Sequence, residues 1–357
     1  MQPSRKLHKK RCQLSVGPIC LILRTFCLLY GHSWEDAMRI YQMGLFAALL
    51  GLAVTPVQAR DLVVASADPV GSLKDRMCQQ FVDGVAEELP EVSLNYVQGE
   101  ALGSAKSVME QHVSGTIDIF CNELVWFANY VPDMQILGWG LTFRDQQHMK
   151  NFIESELFDP LEDEAIAAGV RILAGRPTQP RMLFTKTPVS GIEDLQNVKM
   201  RVPQLKSYLE LWTAVGTQPT QVAWAEVYLA LNTGVVVAAE GPPTDAGKQN
   251  FEKVAPYVTR TDHLYSTVHI SITERAWSEF TEVEQAKMTE LATAATDWGL
   301  AAATEEVETV LAGFEEEGAT VSDIDIKPFQ DKVAGAVERM ESEGLWSEGL
   351  WEKIQGL

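Results

Sequence analysis

The chain has 357 residues, 46% of them hydrophobic and 22% charged, which excludes a low-hydrophobicity disordered chain and a polytopic membrane protein. It carries 29 Lys and Arg against 49 Asp and Glu, a formal charge of −20. Such a field repels phosphate backbones and anionic lipid, so nucleic acid is excluded as a partner, while a small anion still fits if local cations gather in one cleft.

Residues 1–59 have a character of their own. Seven basic residues (Arg5, Lys6, Lys9, Lys10, Arg11, Arg24, Arg39) face only Glu35 and Asp36. The apolar run Gly44–Val54 is followed by Thr55-Pro56 and then Val57-Gln58-Ala59. A basic start, a short apolar core and a small-x-small ending predict a secretory signal peptide cut after Ala59. The run is too short for a membrane-spanning helix, which needs about 20 residues. Met38 or Met43 would serve equally as the start, leaving residues 1–37 as an extension. Removing 1–59 leaves −25 on residues 60–357 and takes Cys12, Cys20 and Cys27 with it. For Cys78 and Cys121, an oxidising compartment permits a disulfide, and two buried thiols remain an equal alternative.

The elements then follow in chain order. Leu62–Ala67 reads as a strand, and Met77, Phe81, Val82 and Val85 recur at helical spacing after Asp68-Pro69-Val70-Gly71-Ser72. A strand at Val92–Val97, a helix near Ala105–Val113 and a short buried strand at Ile117–Cys121 complete a strand–helix–strand–helix–strand run. That order predicts a mostly parallel sheet covered by helices. Further strands are expected at Val170–Ala174, Arg181–Thr185, Val198–Val202 and His269–Thr273, with Val235–Ala239 between strand and loop. Helices are expected at Leu205–Val215, Ala225–Thr233 and Lys327–Glu343. The helical pattern from Val283 to Glu317 exceeds the usual globular length, so it connects two lobes rather than lying on one.

Catalytic signatures are missing from the sequence: it has no G-x-S-x-G elbow, no Walker A loop and no H-E-x-x-H. No C-x-x-C or His-rich spacing calls for a metal, and Gly138-Trp139-Gly140 lacks the third glycine of a dinucleotide site. His269 reads as a structural histidine, and an enzyme built on Glu123 and His269 is the least favoured reading. An exported α/β protein of this kind is expected to be a ligand receptor with its cleft between two lobes, not an enzyme, and without cofactor.

The stretch Val198–His263 carries a resemblance. It reads VKMRVPQ, then VGTQPTQVAWAEVYLALNTGVV, EGPP and VTRTDH, with Ala101-Leu102-Gly103 and Gly115-Thr116-Ile117-Asp118 upstream. Together these resemble the solute-receptor subunits of tripartite ATP-independent periplasmic (TRAP) transporters, of the DctP type. The resemblance implies a two-lobed periplasmic binding protein fold with mixed sheets, crossing connections and a long connecting helix. Lobe I would comprise 60–178 plus 267–306, and lobe II 179–266 plus 307–357. It implies a periplasmic receptor that passes a small organic acid, such as a C4-dicarboxylate or sugar acid, to small and large membrane permease subunits. The rival is a sensory co-receptor for the same ligand.

Residue by residue, Arg201 matches the arginine that clamps the substrate carboxylate. A guanidinium suits that role because its parallel donors fit a carboxylate and it keeps its charge. Arg181 matches a second clamp arginine, with Arg171 and Arg176 as nearby alternatives. Trp224 matches an aromatic wall, and Glu123 matches a pocket acid or else serves as a helix N-terminal acid. Trp126, three residues on, would share its face and is expected mainly in the core. Gly241 departs from the family pattern: it stands where an asparagine commonly completes the carboxylate site.

Overall fold

The computed structural model describes residues 60–357; the leader, its cleavage after Ala59 and the alternative starts Met38 and Met43 lie outside the described residues. The first third alternates as expected, with β1 (Arg60–Ser66), α1 (Leu73–Glu88), β2 (Val92–Val97), α2 (Ala105–Val113) and β3 (Ile119–Asn122). Helix α1 begins at Ser72, whose hydroxyl accepts the Asp75 N–H, and it buries Met77, Cys78, Phe81 and Val85. Two helices without strong sequence signals, α3 (Gln146–Ile153) and α4 (Asp159–Ala167), lead into the long β4 (Val170–Pro180).

Next come β5 (Met182–Thr185), β6 (Lys199–Val202), α5 (Lys206–Val215), β7 (Gln218–Gln221), α6 (Val227–Thr233) and β8 (Ala238–Gly241). They are followed by α7 (Pro243–Lys248), α8 (Phe251–Val254), β9 (Tyr257–Arg260), β10 (Tyr265–Thr273) and α9 (Glu274–Trp277). The chain closes with α10 (Glu282–Glu316), β11 (Thr320–Asp323), α11 (Lys327–Ala334), α12 (Val337–Ser342) and α13 (Leu350–Gln355).

The strands form two mixed sheets. The first runs β2-β1-β3-β10-β4 and the second β11-β9-β5-β8-β6-β7. In the first, β1 pairs parallel to both β2 and β3, while β10 lies antiparallel to β3 and β4. In the second, β6 is parallel to β7 and β8, and β5 is antiparallel to β8 and β9. The chain leaves the first sheet at the β4–β5 junction and returns by β10, which supplies the crossing connections.

Helix α10 joins the halves. Its N-terminus carries a reciprocal Thr281–Glu284 cap, which closes backbone groups that a helix end otherwise leaves unpaired. Met288, Ala292 and Ala295 pack into the core of the first sheet, and Val307, Leu311 and Phe314 into that of the second. The architecture is therefore two lobes spanned by one helix. Among the described residues no helix is long and apolar enough to cross a membrane.

One local expectation changes, one strand is added and one alternative is settled. The predicted helix 327–343 is two helices, α11 and α12, with Gly335 and Ala336 between them; Phe329, Val333, Val337 and Met340 all face one core, so the apolar spacing runs through the break. Strand β7, Gln-Pro-Thr-Gln, is polar because it forms a sheet edge, where proline costs no ladder bond. Cys78 of α1 and Cys121 of β3 are joined in a disulfide, which resolves the alternative left open above.

Candidate functional site

A cleft opens where segments of both lobes meet, and Arg201, Arg181, Trp224, Glu123 and Trp126 all line it. The topology explains the convergence. Asp68 follows β1, Asn122 and Glu123 end or follow β3, Arg201 lies at the penultimate position of β6 and Pro203 follows that strand, and Pro242 follows β8. These are carboxyl ends of strands, where open α/β sheets place their ligands.

Arg201 is 2% exposed. Its Nε and Nη2 both donate to the Val222 carbonyl, at 2.9 and 2.8 Å, and the guanidinium sits 5.2 Å from the centre of the Trp224 ring. Nη1 is buried and has no partner among the described residues. A buried charged donor left open is costly unless something fills it. Burial, with Arg181 adding repulsion, pushes the Arg201 guanidinium down to about 10, so it stays cationic at neutral pH.

Arg181, at the β4–β5 junction, is placed differently. It makes a bidentate pair with Glu240, with Nη2 to Oε1 at 2.9 Å, while Nη1 reaches Glu123 Oε1 at 3.2 Å and Ser266 Oγ at 3.0 Å. Burial pushes the Glu240 carboxyl up, but Arg181 and His263 more than reverse this and hold it at about 2. Glu240 lies opposite Leu183 in the β5–β8 ladder, so sheet register fixes the pair. Arg171 and Arg176 pair with Glu274 and Asp297, and neither lines the cleft.

Glu123 caps no helix with its side chain; its carboxylate turns to Arg181 and to Lys74, 3.4 Å away. Lys74 is a cleft residue that the sequence reading passed over. Its ammonium also contacts Asp68 at 3.2 Å and Asp245. Burial lowers the Lys74 ammonium, and the three carboxylates together more than offset that and raise it. Burial raises Asp68 to about 7. Lys74 stands at the helical spacing of Cys78, Phe81 and Val85, so a lysine on the core face of α1 was the available signal. Tyr208 also lines the cleft, 5.3 Å from Arg181.

Gly241 is not a lining residue. A Cβ there would sit 2.7 Å from Cη2 of Trp224, closer than real contacts allow, so the glycine makes room for the indole. Trp224 in turn packs on Phe251, ring centres 4.9 Å apart. His269 is fully buried against Phe120 and Phe127 and bonds Ser271 Oγ at 3.2 Å, away from the cleft. Among the described residues no cluster of three or more His, Cys, Asp or Glu suits a metal ion.

Residues 66–343 match the family described as bacterial extracellular solute-binding protein, family 7 (DctP). The chain belongs to this family. It is similar to the sialic acid-binding periplasmic protein SiaP of Vibrio cholerae, 24% identical over 82% of this chain and 92% of that one. A TRAP periplasmic solute-binding protein of Chromohalobacter salexigens, solved with D-glucuronate, superposes with a TM-score of 0.78 at 23% identity, over 83% and 99% of the two chains. One of Roseobacter denitrificans, solved with L-galactonate, superposes with a TM-score of 0.77 at 23% identity, over 84% and 98%. The chain is thus a solute-binding protein of the DctP family with the two-lobed fold of these structures.

Proposed function

We propose that this DctP-family protein is the periplasmic receptor of a TRAP transporter for a sugar acid, an aldonate or uronate, which it delivers to membrane permease subunits. The observation that carries the reading is Arg201 Nη1, a buried cationic donor lining the cleft with no partner among the described residues. A ligand carboxylate is the group that fits it, while the Val222 carbonyl and the Trp224 ring hold the guanidinium in place. The polar end supports a hydroxylated ligand body: Asp68, Glu123 and Asp245 present acceptor oxygens side by side around Lys74, to which vicinal hydroxyls can donate.

In this reading Trp224 is a wall, and Arg181 orders Glu123 and Tyr208 rather than clamping the carboxylate. Gly241 acts through the seat of Trp224. The lobes close over the ligand by hinge motion about the crossing segments and α10. Arg201 creates a local positive site on a chain whose residues 60–357 carry −25, so steering over distance contributes little and contact energy dominates.

The test is a thermal-shift and calorimetric screen of ligand-stripped protein against aldonates, uronates, C4-dicarboxylates and sulfonates. Sugar acids are expected to raise the melting temperature with the logarithm of their concentration, and Arg201→Ala to abolish the shift. Shifts from other anions alone would overturn the sugar-acid reading.

A further inference from the structure

Resting on the sugar-acid reading of the cleft, we propose that the site accepts one carboxylate and excludes a second: Asp68, Glu123 and Asp245 select aldonates and uronates against the corresponding dicarboxylic aldarates. The inference starts from which cations remain open. Lys74 is enclosed by Asp68, Glu123 and Asp245: its ammonium donates to Glu123 and Asp245 and lies 3.2 Å from Asp68 Oδ1. Arg181 is paired bidentately with Glu240 and shares Glu123. Neither offers a second carboxylate an unpaired charge.

The sign of the cleft points the same way. Four carboxylates line the cleft, Asp68, Glu100, Glu123 and Asp245, and a fifth, Glu240, is buried against Arg181. They face three cations, Lys74, Arg181 and Arg201. No carboxylate among the described residues forms an ion pair with Arg201, so one anionic group is accommodated there. A second, at the far end of a six-carbon chain, meets three carboxylates already paired with Lys74 and, at Glu123, with Arg181. Like charges brought together out of water repel strongly. Burial, with Asp245 and Glu123 adding repulsion against the pull of Lys74, raises the Asp68 carboxyl to about 7, so its charge joins the cage fully only above neutral pH. Hydroxyl groups meet no such barrier, because each can donate to a carboxylate oxygen. Asn122 Nδ2, which donates to Asp68 Oδ2 at 2.7 Å, keeps that carboxyl turned to the cage.

Two matched pairs of probes isolate the second carboxylate: D-gluconate with D-glucarate, and D-galactonate with D-galactarate. Calorimetry on the purified full-length secreted protein at pH 8 is expected to show at least one aldonate binding, and its aldarate roughly a hundredfold or more weaker. Asp245→Asn removes one cage charge and keeps an acceptor for Lys74, so the gap should narrow about tenfold. Asp68→Asn is the second variant and removes a different charge of the same cage. An aldarate within about threefold of its aldonate overturns the proposal, as does a gap unmoved in both variants. Tighter binding of succinate or L-malate than of any monocarboxylate overturns it together with the sugar-acid reading. Binding confined to monocarboxylates that lack hydroxyls removes the sugar-acid reading alone and leaves the exclusion of a second carboxylate standing. Silence from every acid removes both.

Discussion

At one end of the cleft Arg201 is held by a single backbone carbonyl and an aromatic face, with Nη1 open. At the other, Arg181 and Lys74 are enclosed by Glu240, Glu123, Asp68 and Asp245. Both regions are buried, and both contain the cations that an anion receptor is expected to have. The difference teaches that a buried cation reports a ligand only when its donors are left free. A neutral oxygen from the backbone orients Arg201 without cancelling its charge, whereas carboxylates both orient and neutralise Arg181.

The largest expected effect tests the enclosed end. Glu240→Ala leaves Arg181 buried beside an empty space and should cost about 3–5 kcal/mol of folding stability in urea titration. A loss under about 1 kcal/mol would mean that Arg181 is held by other groups and is as open as Arg201, which breaks the comparison. At the open end, Arg201→Ala removes charge-assisted bonds of about 1.5–3 kcal/mol each. The dissociation constant of the bound sugar acid should rise roughly a hundredfold or more, and binding unchanged in calorimetry would remove Arg201 as the anchor.

Gly241→Ala probes the seat of the aromatic wall. With a Cβ 2.7 Å from Trp224, overpacking of about 1–3 kcal/mol is expected. Trp224→Leu should relieve most of it, and a double-mutant cycle with no coupling would separate the two residues. The smallest effect concerns acidity at the enclosed end. The Asp68 carboxyl is raised by burial from 3.8 to about 7. Between those values the folded state keeps a proton that the unfolded state has lost, so this group's contribution to stability falls as pH rises. Asp68→Asn should therefore gain on the wild type in unfolding midpoint from pH 5 to pH 8. His112 and His269, lowered by burial to about 4 and about 3, act in the opposite direction below neutral pH but cancel in that difference. A difference flat with pH would show Asp68 to be ionised throughout.

The halves of the site differed in legibility for a physical reason. Arg201 and Trp224 lie in the continuous stretch that carries the family resemblance, and Arg181 and Glu123 were matched to family positions near strand ends, so all four were named through that resemblance. What Arg181 does could not, because its partner Glu240 is set by the register of β5 against β8. Lys74 and Asp245 lie 171 positions apart and meet only when the lobes come together. Gly241 looked like a missing donor; its meaning is a steric one, written in the position of an indole elsewhere in the chain. Among the elements, β1–β3 and α10 were clear from apolar spacing. The edge strands β7 and β11 were not, since half-polar edges leave little pattern.

The disulfide has a consequence for timing. Lys74 stands one turn before Cys78 on α1, and Glu123 two residues after Cys121 on β3. One covalent link therefore anchors the two backbones that bring lysine to glutamate. Thiols stay reduced in the cytosol and oxidise outside it, so the frame that holds Lys74 against Glu123 gains this covalent brace only in an oxidising compartment.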